Sequence, residues 1–334
     1  VTPPLPPLRL EPILVAKPWG GRRLGALGRN LPDGDVSIGE SWDLADLDAG
    51  ITPVPDPVTH VVGGPWHGTS LHRLVEDAPE ALLGPGLAGA ERFPLLVKHL
   101  DAREHLSVQV HPTPAVAARR AGSHLKTESW VVVDAEPGAG LLLGLRPGTT
   151  PAALAATLGS PALVPLLRYV PAVVGDVHHV PAGLIHALGS GVVVAEVQTP
   201  SDTTYRLYDW TLEYGRAPRD LHTEEAMESV LDAWEANHHP VEPARHDGVV
   251  VDTEHYRIAR HRRPEGGRLV VPARATARVL LVLAGEIGGQ DVAAPVRHGG
   301  LLLLPAAYEG GVRLAPGTCW LDVDLVASAT GSAG

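Results

Sequence analysis

Cysteine is nearly absent: Cys319 is the only one in 334 residues. No disulfide can form within the chain, which suits a reducing compartment. Phenylalanine also occurs once, and aromatic residues make up 4% of the chain. The core must therefore be built from Leu, Val and Ala. No apolar run approaches the ~20 residues of a membrane-spanning helix. Basic residues are outnumbered, 27 Lys and Arg against 38 Asp and Glu, for a formal net charge of −11. That balance argues against nucleic acid as a partner. It also means that an anionic substrate would need a local basic cluster to overcome the overall field. The start, Val1 to Pro7, is rich in proline and lacks the charged and apolar regions of a signal peptide. A soluble, cytoplasmic protein with no membrane partner is the expectation.

Histidine is plentiful, at 17 residues, and two of them sit in patterned surroundings. The run Ser107-Val108-Gln109-Val110-His111 alternates and then stops at Pro112. On a strand, residues two apart share a face, so Ser107, Gln109 and His111 point one way and the two valines the other. Pro112 ends the strand because it has no N–H to give. A second strand opens at Glu128 and continues to Val133. His186 follows a Pro181-Ala182-Gly183 turn and leads into another strand. Two imidazoles, one carboxylate and one amide oxygen suit zinc or another borderline divalent ion, with room for water or substrate.

Several charged residues stand in apolar strands. Lys98 interrupts Leu95-Leu96-Val97, and Glu196 is in step with Val192 and Val194. A buried lysine needs water or an anion at its head, and burial raises the pKa of a carboxylate. Glu40 shares a face with Trp42 in an alternating segment, Ile38 to Leu44. Lys17-Pro18-Trp19-Gly20-Gly21 reads as a turn that sets Trp19 beside a pocket. Lys126 precedes Glu128 by two residues.

These segments resemble the type I mannose-6-phosphate isomerases, zinc enzymes of the cupin fold. The resemblance is carried by Lys17 to Gly21, Gly39 to Trp42, Phe93 to Lys98, Leu106 to Pro112, Lys126-Thr127-Glu128, Gly175 to Gly189 and Ser201 to Asp209. It implies one zinc ion per chain, held by Gln109, His111, Glu128 and His186, and a catalytic role for Arg206. Thr113-Pro114 and Leu125 depart from the family pattern but touch no implied ligand. The implied activity is aldose–ketose isomerisation of a six-carbon sugar phosphate through an enediol. Arg206 would supply fixed positive charge, with Lys98, Lys126 and Ser107 as phosphate or hydroxyl contacts. Trp19 and Glu40 would complete the substrate pocket. Glu196 is the first candidate for the acid–base group, with metal-bound water as its rival. A cupin oxygenase holding iron and a non-catalytic sugar-phosphate-binding protein are the alternatives. The chain would be a monomer or a homodimer.

The expected fold is mainly β, with two cupin-type barrels (jelly rolls). A catalytic domain spans 1–240 and includes helical segments near 69–91 and 151–169. A degenerate barrel without metal ligands spans 241–334. Gly299 to Ala307 echoes Gly175 to Gly183, offset by 124, and Val279 to Glu286 echoes Trp130 to Pro137, which sets Ala277 against Glu128. Leu8 to Val15 reads as the first strand, and Thr223 as the cap of a helix running to Trp234. The tail, 327–334, reads as disordered.

Overall fold

The computed structural model describes residues 5–327. The readings for the extreme N-terminus and for most of the tail fall on residues 1–4 and 328–334, outside the described residues.

Strand Val192–Gln198 explains the architecture. All seven of its residues are buried, so it must be covered on both faces. It lies within a six-stranded antiparallel sheet in the order Val177–Val180, Glu128–Ala135, Val192–Gln198, Leu96–Ala102, Ile13–Gly21, Ile38–Leu44. Its inward residues, Val192 and Val194, pack with Trp130 and Val132 against Leu141, Leu143 and Leu188. Those last three belong to a five-stranded sheet in the order Tyr205–Tyr208, Val108–Val110, His186–Leu188, Gly140–Leu145, Leu167–Pro171. The outward residues Val193, Ala195 and Val197 join a second core with Ile258, Leu281 and Val323.

The latter residues belong to a second pair of sheets. One has the order Gly248–Asp252, Tyr256–Arg263, Thr318–Leu325, Arg278–Ala284, Leu301–Leu304, and the other Gly267–Val271, Gly310–Leu314, Glu286–Gly288, Val296–Arg297. Leu280, Val282, Leu302, Leu304 and Trp320 fill the space between them. The protein is thus mainly β, two cupin-type units packed back to back through outward-facing valines and leucines. Among the described residues, no His/Cys/Asp/Glu cluster able to hold a metal lies in the second unit.

The helical segments follow their caps. Ser70 caps Leu71–Asp77, Thr113 caps Pro114–Arg119 and Thr150 caps Pro151–Thr157, each accepting from a backbone N–H three residues on. Thr113-Pro114 is therefore a cap followed by a proline at the first helical position, where its missing N–H costs nothing.

Five expectations need correction. Lys17 to Gly21 is the end of strand Ile13–Gly21 rather than a turn. Its glycines serve close approach: a Cβ on Gly20 would lie 2.4 Å from the Gly39 nitrogen. Pro12 splits the expected first strand into Leu10–Glu11 and Ile13–Gly21. The helical reading over 151–169 fails at its end, because Pro165 closes the 3₁₀ turn Pro161–Leu166 and Leu167–Pro171 pairs with Gly140–Leu145. Thr223 is the first helical residue and His222 holds the cap position, without a side-chain cap bond; that helix ends at Asp232 and a short one follows from Trp234. Finally, the echo of Trp130 by Val279 is one residue out of phase. Val279 faces the core between the two units, whereas Leu280 and Val282 point into the second one. A one-residue slip inverts the faces. The position on Glu128's face is thus Arg278, buried and paired with Asp322 at 2.9 Å, rather than Ala277.

Candidate metal centre and active site

Strand register brings the site together. His186 lies opposite Gln109, and Gln109 lies opposite Arg206 on its other side. In the facing sheet Glu196 is flanked by Lys98 and Trp130, and Gln198 by Leu96 and Glu128. The inward faces of these strands enclose a cavity of about 240 Å³.

Behind this cavity, in contact with its lining residues Gln109 and Lys126, His111, Glu128 and His186 offer ligand atoms all within 4.8 Å of one another. All three residues are fully buried. Glu128 Oε2 is 3.2 Å from His111 Nε2, and its Oε1 is 3.4 Å from His186 Nε2. The tautomers follow from the backbone. His111 Nδ1 faces the Thr203 carbonyl at 3.0 Å and His186 Nδ1 faces the Leu184 carbonyl at 2.8 Å. A carbonyl only accepts, so each Nδ1 carries the proton and each Nε2 turns a lone pair to the centre. Burial, then the Lys126 charge, pushes His111 down to about 3. Burial also lowers His186. Both rings are neutral, as ligation requires. Burial opposes the Glu128 charge, but Lys126 and the two histidines outweigh it and hold the carboxyl well below the usual range. Glu128 Oε1 has no hydrogen-bond partner.

Gln109 Nε2 lies 3.2 Å from His186 Nε2, and its Oε1 accepts from Ser107 Oγ at 3.2 Å. Exchanging the two amide atoms turns Oε1 to the cluster without moving the side chain. Lys126 Nζ sits 2.9 Å from His111 Nε2 and 2.5 Å from Glu128 Oε2. Two inward lone pairs, a carboxylate with an unpartnered oxygen and a reorientable amide fit a divalent cation. The ammonium of Lys126 stands where such positive charge is wanted.

The cavity wall also carries a buried charge network. Lys98 Nζ lies 3.8 Å from Glu40, 3.7 Å from Glu196 and 4.0 Å from Asp202, and 4.9 Å from the centre of the Trp42 ring. Burial works against the Lys98 charge, but these carboxylates outweigh it and raise its pKa. Glu40 accepts from Trp42 Nε1 at 2.7 Å and pairs with Lys17 at 3.1 Å. Burial raises its pKa, yet Lys17 and Lys98 together bring it down to about 2. Glu196 is the opposite case. Burial, then the Glu128 charge, raises its pKa despite Lys126 and Lys98. Its Oε2 accepts from Trp130 Nε1 at 2.9 Å, and Oε1 has no hydrogen-bond partner.

Arg206, Arg219 and His222 also line the cavity. Arg206 Nε has no partner. Arg219 is held by both oxygens of Asp209, and His222 Nδ1 receives the Arg206 backbone N–H at 3.3 Å.

Trp19, Glu40, Lys98, Ser107, Gln109, Lys126, Glu196 and Arg206 all line this one cavity, with His111, Glu128 and His186 behind it. His178 and His179 stay out of the metal cluster. The sequence reading missed Asp202, Arg219 and His222. Asp202 was findable, since Asp202, Thr204 and Arg206 are spaced by two. Arg219 and His222 lie on an irregular segment that gives no periodic signal.

The fold and this site define a two-barrel cupin-type protein with a buried His/Glu/His cluster opening on a charged cavity. The chain belongs to the type I phosphomannose isomerase family. Residues 8–130 match the family model for the catalytic domain of type I phosphomannose isomerases. The probable mannose-6-phosphate isomerase GmuF of Bacillus subtilis is 33% identical over 321 residues, covering 94% of this chain and 97% of that protein. A mannose-6-phosphate isomerase of Streptococcus mutans is 35% identical over 237 residues, 70% of this chain and 71% of its own length. The crystal structure of the Bacillus subtilis mannose 6-phosphate isomerase superposes with a TM-score of 0.78 at 28% identity, covering 96% of this chain and 99% of that one.

Proposed function

We propose that this protein interconverts mannose 6-phosphate and fructose 6-phosphate, with one zinc ion held by Gln109, His111, Glu128 and His186. The observation that carries the reading is the buried His/Glu/His cluster beside a cavity lined by Lys98, Glu196 and Arg206, in a member of this family. Domain roles follow: residues 1–240 form the catalytic unit and 241–334 a barrel that buries its outer face. A cytoplasmic location and a monomer or homodimer belong to the same reading.

The metal, when bound, supplies Lewis acidity to the sugar's carbonyl and hydroxyl oxygens. Glu196 removes the proton from C2 of the open-chain aldose and returns it to C1, while the hydroxyl proton moves from O2 to O1. The intermediate is an enediol. Its raised pKa brings Glu196 closer to the operating pH, where a general base works best. Lys98 and Lys126 donate to the oxygens on which negative charge develops. Arg206 stays protonated and adds fixed positive charge. With Arg219 and His222 it gives the phosphate a basic end in a chain of net charge −11. Trp19 and Glu40 contact the sugar's carbons and hydroxyls, and Ser107 a hydroxyl.

A coupled assay with mannose 6-phosphate, before and after chelation and with zinc restored, tests this directly. Turnover that disappears with chelator and returns with zinc is expected. A zinc-loaded protein that never turns over mannose 6-phosphate would sink the substrate assignment.

A further inference from the structure

One wall of the cavity comes from the loop after strand Ile38–Leu44. Ile51 and Pro53 line the cavity, and Thr52 between them is 8% exposed. Thr52 Oγ1 donates to Asp202 Oδ2 at 2.9 Å, across 150 residues of chain. The direction of that bond is fixed because a carboxylate only accepts; Thr52 Oγ1 in turn accepts from the Val54 N–H at 3.3 Å. The other aspartate oxygen, Oδ1, lies 4.0 Å from Lys98 Nζ, outside hydrogen-bond range. Asp202 keeps 19% side-chain exposure, against 4% for Lys98 and 3% for Glu196. It is therefore the most open of the three carboxylates around Lys98.

An aspartate's last torsion is soft. Without a partner on Oδ2 the carboxylate would swing onto Lys98, because opposite charges in a low-dielectric cavity attract strongly. Both groups would then be spent on each other. We propose that Thr52 is a positioning residue: its hydroxyl holds Asp202 back from Lys98, so that Oδ1 and the ammonium both stay available to the hydroxyls of a sugar substrate. The proposal rests on the sugar-phosphate reading above and deepens it, giving the loop a part in setting which hydroxyl pattern the site accepts.

The test is a double-mutant cycle on the full-length, zinc-loaded protein, with Thr52→Val, Thr52→Ser, Asp202→Asn and the Val/Asn double variant. Both kcat/KM for mannose 6-phosphate and its Kd by calorimetry are measured. Loss of one hydrogen bond to a charged group predicts about a tenfold fall in kcat/KM for Thr52→Val. Thr52→Ser keeps the hydroxyl and restores the wild-type value. In the Asp202→Asn background Thr52→Val changes nothing further, the outcome that a merely structural role for Thr52 would not produce. Wild-type kinetics in Thr52→Val, or an equal loss in both backgrounds, overturns the proposal. If the wild type binds the sugar phosphate but does not turn it over, the isomerase reading falls and the same cycle in Kd decides the role of Thr52. If it neither binds nor turns over, both fall.

Discussion

Lys126 Nζ rests 2.5 Å from Glu128 Oε2, two residues further along the chain, within a cluster that two neutral imidazoles complete. Glu128 Oε1 has no hydrogen-bond partner and would be free for a divalent cation, while Lys126 lines the cavity, where its ammonium would meet a substrate oxygen. Lys126→Met removes the charge and keeps most of the volume. Zinc content by elemental analysis should stay at one per chain. Turnover should drop by about 10²-fold or more, the usual weight of a positioned proton donor. Loss of zinc from this variant would make Lys126 a part of the metal site rather than of the chemistry.

Glu128→Gln tests the metal site from the other side. The amide keeps the shape but removes the anion that faces both histidines. Zinc should fall well below one per chain. The apo protein should also lose stability, because Lys126 is left as a buried charge without its partner. Breaking such a pair costs about 3–5 kcal/mol, and denaturant titration of the chelated proteins would read it.

Much of this site was legible because its residues stand on regular strands. Ser107, Gln109 and His111 declared a common face through spacing alone, and Glu196 stood out as an acid in phase with valines. The second barrel was legible from a different signal, the echo of Gly175 to Gly183 in Gly299 to Ala307. What failed lacked period or hinged on phase. Lys17 to Gly21 looked like a turn because glycine permits two things, a reversal and a close approach, and here Gly39 presses against Gly20. The echo of Trp130 by Val279 failed by one residue, which on a strand is the difference between inside and outside. Arg219 and His222 could not be placed, since only the fold of an irregular segment brings them to the cavity.

Glu40 makes acid stability a readout of the cavity. Its carboxyl falls from 4.5 to about 2, with burial outweighed by Lys17 and Lys98. A depressed carboxylate contributes stability in full above its unfolded pKa, and loses it as pH falls through the folded value. The window is therefore from about pH 4.5 down to about 2. Glu40→Gln cannot titrate. At pH 7 it should be less stable than wild type, because Lys98 and Lys17 lose a partner. The gap should narrow as pH falls through that window. A gap independent of pH would mean that Glu40 does not hold its charge against burial.

Glu196 should show the reverse sign. Its pKa is raised, first by burial and then by Glu128, so the folded protein holds its proton more tightly than the unfolded chain. Such a group costs stability once pH rises above about 4.5, and the cost grows until the folded pKa is passed. Glu196→Gln removes that cost and keeps an oxygen to accept from Trp130 Nε1. The variant should be more stable than wild type at pH 7 and equal to it near pH 4. It should also be nearly inactive, since an amide cannot carry the proton between C2 and C1. Melting temperature and turnover measured on one preparation would then move in opposite directions, as expected where a buried carboxylate is kept for chemistry at the expense of the fold. A variant that loses both stability and activity would instead assign Glu196 a structural task beside Lys98, and would pass the acid–base role to another group.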